Sequence, residues 1–150
     1  MNIYDKAFLS RILATIIFLY LFSKHSLNYN FLLPFFLNGL DGIDSSIAPS
    51  THTFAYKIYD KIADTLSYFL VAVFFPVDKE YLYFLMYRVA GVLAFGMSRK
   101  LYWLVIFPDM MKEYLLYKSV FSDMSAFPVF IPVKVAYELW HHFHQDTMIE

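Results

Sequence analysis

No cysteine occurs in the 150 residues, so disulfides and thiolate metal sites are excluded and the redox compartment stays open. Charge is scarce as well. Lys, Arg, Asp and Glu make up 17% of the chain and leave a net charge of −1, which supplies no basic field and excludes nucleic acid as a partner. Glycine-rich phosphate loops, nucleophile elbows and zinc-ligand spacings are missing too. The long apolar runs lack period-two alternation, so a sheet in lipid, which would have to close into a barrel, is excluded.

What the chain has in quantity is hydrocarbon. Hydrophobic residues make up 59%, with 17 Phe and 13 Tyr, and the mean hydropathy is +0.49. That exceeds what one soluble core of this length can hide, so most of the apolar surface is expected to face lipid. The sequence therefore predicts an all-α integral membrane helical bundle, a single transmembrane domain over residues 1–150 with about six transmembrane helices. The expected spans are residues 7–22, 31–48, 54–75, 81–97, 101–121 and 127–143. Pro49 and Pro76 close the second and third spans, because proline lacks an N–H and disfavours helix at the preceding residue. A cleaved signal peptide competes for the first residues, but no small-residue cleavage site follows and Arg11 interrupts the run.

Basic residues set the orientation. With a cytoplasmic N-terminus, Lys6, Arg11, Lys57, Arg99 and Lys100 fall inside, whereas Lys24, Lys79 and Lys118 fall outside. The break between the second and third spans then lies at the cytoplasmic face. Four aspartates surround that break: Asp41 and Asp44, three residues apart, and Asp60 and Asp64, four apart. Residues at those spacings share a helix face, and carboxylates near hydrocarbon are costly unless paired, hydrated or bound to a cation. Converging oxygen donors of this kind describe a site for a divalent metal.

The segments LDGIDSSIAP and YKIYDKIADTLSYFLVAVFF resemble the CDP-alcohol phosphotransferase family, whose motif is DxxDGxxAR, eight residues, then GxxxDxxxD. The likeness covers about 24 residues, positions 41–64. In the preferred register Asp41, Asp44, Asp60 and Asp64 take the four aspartate positions, Ser45 and Tyr56 the glycines, Ala48 the alanine and Pro49 the arginine, with a loop two residues shorter. The alternative register sets Asn38 at the first aspartate and Asp41-Gly42 at the second. The opening LSRILATIIFLYLF, with its early arginine, is also similar to the family's first span.

The resemblance implies a metal-dependent transferase that moves a phosphatidyl or related phosphoalcohol group from a CDP-linked lipid donor to a small alcohol acceptor, releasing CMP in phospholipid synthesis. It implies that Asp41, Asp44, Asp60 and Asp64 bind Mg2+ or Mn2+ and that Asp64 is the catalytic base. Ser45, Lys57, Lys61 and Arg88 are the expected substrate-binding residues, and the last three are candidates for the cation that Pro49 cannot supply. Arg88, in the middle of an apolar run, requires an anionic partner in the aspartates or in a substrate phosphate. A homodimer is expected.

Other polar groups have plainer readings. Asp109, Lys112 and Glu113 are expected as a mutual ion pair at helical spacing or as an interfacial patch, with substrate binding as the sharper alternative. His141, His142 and His144 read as a solvated tail. Trp103, Trp140 and the tyrosines read as interfacial belts. Two other functions fit the same residues: a catalytically degenerate family member acting as a membrane scaffold, and an unrelated channel or transporter subunit with carboxylates along an ion path.

Overall fold

A computed structural model describes residues 3–25, 32–40, 54–121 and 123–145. Asp41, Asp44 and Ser45 lie outside these residues. All regular structure among them is helical: α1 (Ile3–His25), α2 (32–40), α3 (Phe54–Phe74), α4 (Lys79–Ser98), α5 (Tyr102–Ile106), α6 (Met111–Val120), a 3-10 turn (Phe127–Val129) and α7 (Phe130–Gln145).

Contacts between helices fix their directions. Tyr59 donates to Asp5, Arg11 meets Asp60 and Asp64, and Thr15 lies 3.3 Å from Ser67, so α1 and α3 run parallel. Phe54 meets Phe95, Asp64 faces Arg88, and the Tyr81 hydroxyl donates to the Tyr68 carbonyl, so α4 runs antiparallel to α3. One end of the bundle is an apolar cluster in which Leu19, Leu37, Val71 and Leu85 surround Tyr68, Tyr81 and Tyr114. Charged residues gather toward the other end.

Apolar side chains lie both in the core and on the outer faces of the helices. The inner face of α1 carries Ala7, Arg11, Thr15 and Leu19, while Leu9, Leu13, Ile17 and Leu21 are exposed, Leu13 by 50%. On α3 the inner residues include Ala63, Asp64 and Ser67, and the outer ones Ile62, Leu66, Phe69 and Val73. Exposed apolar faces of this kind mark surfaces that meet a partner or lipid. Among the described residues two helices are long and apolar enough to cross a membrane, over Asp5–Lys24 and Lys79–Ser98.

The fifth expected span is corrected. Residues 101–121 form no continuous helix but two short ones, α5 and α6, joined through Phe107–Met110. Pro108 supplies no N–H and moves Phe107 out of helical geometry, to φ −117° and ψ 67°. Asp109 then caps the restart, its Oδ1 accepting from Met111 N at 3.1 Å. The expected sixth span begins with the 3-10 turn, and α7 is 16 residues long, below the roughly 20 that span a bilayer unaided.

Asp78 starts α4. Its carboxylate accepts from Tyr81 N at 2.9 Å, from the Tyr114 hydroxyl, and from Lys118, whose Nζ is 3.1 Å away. Burial opposes its charge, but the bonds from Tyr114, Tyr81 and Lys118 outweigh it and hold the pKa below the usual carboxylate range. A depressed folded-state pKa means that stability is present above the unfolded value, about 3.9, and is lost as pH falls through the folded one. Asp78→Ala is therefore expected to cost about 1 kcal/mol at pH 7, a cost that shrinks as the pH drops below about 4. Thermal unfolding in detergent at both pH values checks it.

Candidate functional site

The charged end of the bundle is built around α3. Asp60 and Asp64 stand one turn apart on its inner face, and the parallel course of α1 brings Arg11 against both. Arg11 Nη1 donates to Asp60 Oδ1 at 3.0 Å and Nη2 donates to Asp64 Oδ1. The side chain of Arg11 has no exposure to solvent, and that of Asp64 has 5%. One guanidinium thus bridges two carboxylates in the interior, a fork geometry that lysine cannot reproduce.

The other carboxylate oxygens face further cations. Lys61 Nζ donates to Asp60 Oδ2 at 2.7 Å. Arg88, on the inner face of α4, sets Nη2 3.8 Å from Asp64 Oδ2 and 3.7 Å from Asp109 Oδ2. These separations exceed hydrogen-bond length, and Arg88 Nε and Nη2 make no hydrogen bond among the described residues. The Tyr68 hydroxyl donates to Asp109 Oδ2 at 3.1 Å, which ties the α5–α6 joint to α3. Breaking a buried pair of this type on one side leaves an uncompensated charge.

A cavity of about 360 Å³ opens beside this cluster, among α2, α3, α6 and α7. Asn38, Lys61, Asp64, Asp109, Lys112, Glu113, Lys134, Tyr137 and Glu138 line it. Lys112 Nζ donates to Asn38 Oδ1 at 2.9 Å, and Lys134 Nζ lies 2.8 Å from Glu113 and 3.4 Å from Glu138. Asp109, Lys112 and Glu113 therefore do more than pair along one helix: they connect to α4, α2 and α7 in turn. The expected interplay of the three along one helix is thereby extended to neighbouring helices, with Asp109 placed at the Pro108 break.

Of the residues expected at the site, Asp60, Asp64, Lys61 and Arg88 are brought together. Lys57 sits one turn before Lys61 on α3, half-buried and outside the cavity lining. Asp41, Asp44 and Ser45 fall outside the described residues, as do the side chains of His141, His142 and His144. Among the described residues no group of three or more His, Asp or Glu side chains converges as a metal site.

Sequence reasoning passed over Arg11 as a partner of the aspartates, and over Lys134 and Glu138. The signals were there: an arginine inside an apolar helix, and a Lys-Glu pair four residues apart in another. Comparison with protein-family models, with curated proteins and with solved structures finds no match.

Proposed function

We propose that the chain is an integral-membrane transferase similar to the CDP-alcohol phosphotransferases, moving a phosphatidyl or related group from a CDP-activated lipid to a small hydroxyl acceptor with release of CMP. The observation that carries this reading is the pair Asp60 and Asp64. At the family's spacing, both carboxylates aim at one cation in the protein interior, and Asp64 also lines a cavity of about 360 Å³. The exposed apolar faces of α1 and α3 support a bilayer as solvent. The distribution of Lys and Arg favours a site on the cytoplasmic side, where nucleotide-activated donors are met.

The family's reaction calls for magnesium or manganese, which take hard oxygen ligands, but among the described residues only the Asp60 and Asp64 carboxylates converge, and they converge on Arg11. Asp60 and Asp64 would hold the metal together with Asp41 and Asp44, and the bound ion would offset the negative charge of the pyrophosphate. Asp64 accepts the proton of the incoming hydroxyl, whose oxygen bonds to the donor phosphorus as the bond to CMP breaks. Lys61, which lines the cavity, receives phosphate oxygens, and Arg88 stands behind Asp64 and Asp109.

Purified protein in detergent, given CDP-diacylglycerol and magnesium, is expected to release CMP when offered one of glycerol 3-phosphate, serine or inositol. Asp64→Asn should lower that rate about 100-fold or more. Absence of CMP across the panel, together with absence of metal binding, would reject the reading. A second reading, a catalytically degenerate scaffold, draws on the cations that face every oxygen of Asp60 and Asp64. Its mark would be a cellular role that survives Asp64→Asn.

A further inference from the structure

A second cavity, of about 440 Å³, opens where α6 ends and α7 begins, and it shares no lining residue with the cavity beside Asp64. Tyr117, Phe121, Asp123, Ser125, Ala126 and Phe130 line it. The aromatic rings meet as a corner. Phe121 lies 4.8 Å from Tyr117, tilted by 33°, and Phe130 stands across Tyr117 at 5.7 Å and 70°. The buried Phe127 packs edge-on against Tyr117 at 5.4 Å and holds it in place. Phe121 and Phe130 stay 52% and 45% exposed, so both rings have surface left for a ligand.

Asp123 supplies a charge beside that corner. Its Oδ1 accepts from Ser125 N at 3.1 Å and its Oδ2 accepts from the Ser125 hydroxyl. Those bonds hold its pKa below the usual carboxylate range, so the group is ionised at neutral pH. Among the described residues no cation pairs with it, and Lys118 on the preceding helix is taken by Asp78. Aromatic faces and an uncompensated carboxylate together attract a cation, the rings through their quadrupoles and Asp123 through its charge. A primary ammonium would bring three N–H donors into a lining with few acceptors. A quaternary ammonium has no N–H, offers methyl groups to the rings and leaves no donor unsatisfied.

We propose that this pocket binds the quaternary ammonium of a choline headgroup carried by a membrane lipid. The pocket lies at the turn between two expected spans, and Val120 and Val129, next in sequence to Phe121 and Phe130, are each 69% exposed. A lipid meets both kinds of surface, its headgroup the cage and its chains the valines. The site is independent of the transferase reading.

Full-length protein in detergent is mixed with equal amounts of phosphatidylcholine and phosphatidylethanolamine of the same chains, and the lipid retained is counted by native mass spectrometry. The choline lipid is expected to be retained about tenfold over the ethanolamine lipid. Asp123→Asn and Phe130→Leu, both at exposed positions that folding should tolerate, are each expected to cut that preference about threefold or more. Calorimetry with tetramethylammonium tests the cage without a lipid. Equal retention of the two lipids, with no tetramethylammonium binding, would overturn the proposal. Equal retention with tetramethylammonium binding that depends on Asp123 would keep the cage and overturn the lipid as its source. A choline preference unchanged in both variants would belong to another part of the surface and would overturn this site.

Discussion

Arg11→Met is expected to destabilise the folded protein by about 3 kcal/mol or more, because it removes one partner of a buried pair and leaves carboxylates behind. The arginine side chain has no exposure to solvent, and Asp64 has 5%. Methionine fills much of the volume, so lost packing contributes little, and the loss reports charge. The cycle with Asp64→Leu separates the two. If the contact matters, the double variant is less damaged than the sum of the single ones, by about 1 kcal/mol or more. Unfolding of all four proteins in one detergent, followed by near-ultraviolet circular dichroism, gives the number. Strict additivity would mean that Arg11 and Asp64 are neighbours without energetic coupling. Lys61 and Arg88 remain in every variant and hold the rest of the cluster, which keeps the comparison local.

Gly91→Ala is the second large effect, and it works through shape. A Cβ built on Gly91 would lie 2.4 Å from Phe107 Cβ, 3.1 Å from its Cγ and 3.3 Å from its carbonyl oxygen. The clash is with atoms at or next to the backbone, which cannot rotate away. Overpacking of this kind costs about 1 to 3 kcal/mol. Phe107→Gly should relieve it, whereas Phe107→Ala, which keeps the offending Cβ, should not. A coupling energy seen with glycine and absent with alanine, in thermal unfolding, would verify the contact; equal coupling with both would refute it. The effect reaches the charged cluster. Phe107 directly precedes Pro108 and Asp109, so pushing it away from α4 draws Asp109 off Arg88.

Much of the helical order was legible in the chain. The apolar runs behind α1, α3 and α4 have no interior proline, and their ends carry the expected signals, with Pro76 after α3 and Asp78 at the start of α4. Asp60 and Asp64 share a face because four residues nearly complete a turn, and that is local arithmetic. Arg11 was harder to place. Its partners are 49 and 53 residues away, and nothing in the intervening chain states that the first and third helices run side by side. Only the rule that a charge in an apolar helix needs a counter-charge pointed there, without naming which one. The joint at Pro108 was visible as a proline within an apolar run, yet periodicity alone does not separate a kinked helix from two short ones. Lys134 and Glu138 were hidden for a similar reason: their link to Glu113 crosses between helices.

The parallel pairing of α1 and α3 also has a consequence for how the chain is made. Arg11 leaves the ribosome 49 residues ahead of Asp60, its nearest carboxylate partner in sequence. At roughly 5 to 20 residues per second, that delay is about 2 to 10 seconds. During it the first helix lacks the Asp60 and Asp64 carboxylates that its guanidinium meets in the fold, and that group stays in contact with water. Final seating of α1 against α3 therefore follows emergence of the third helix, so its assembly step is governed by translation and not by its own hydrophobicity.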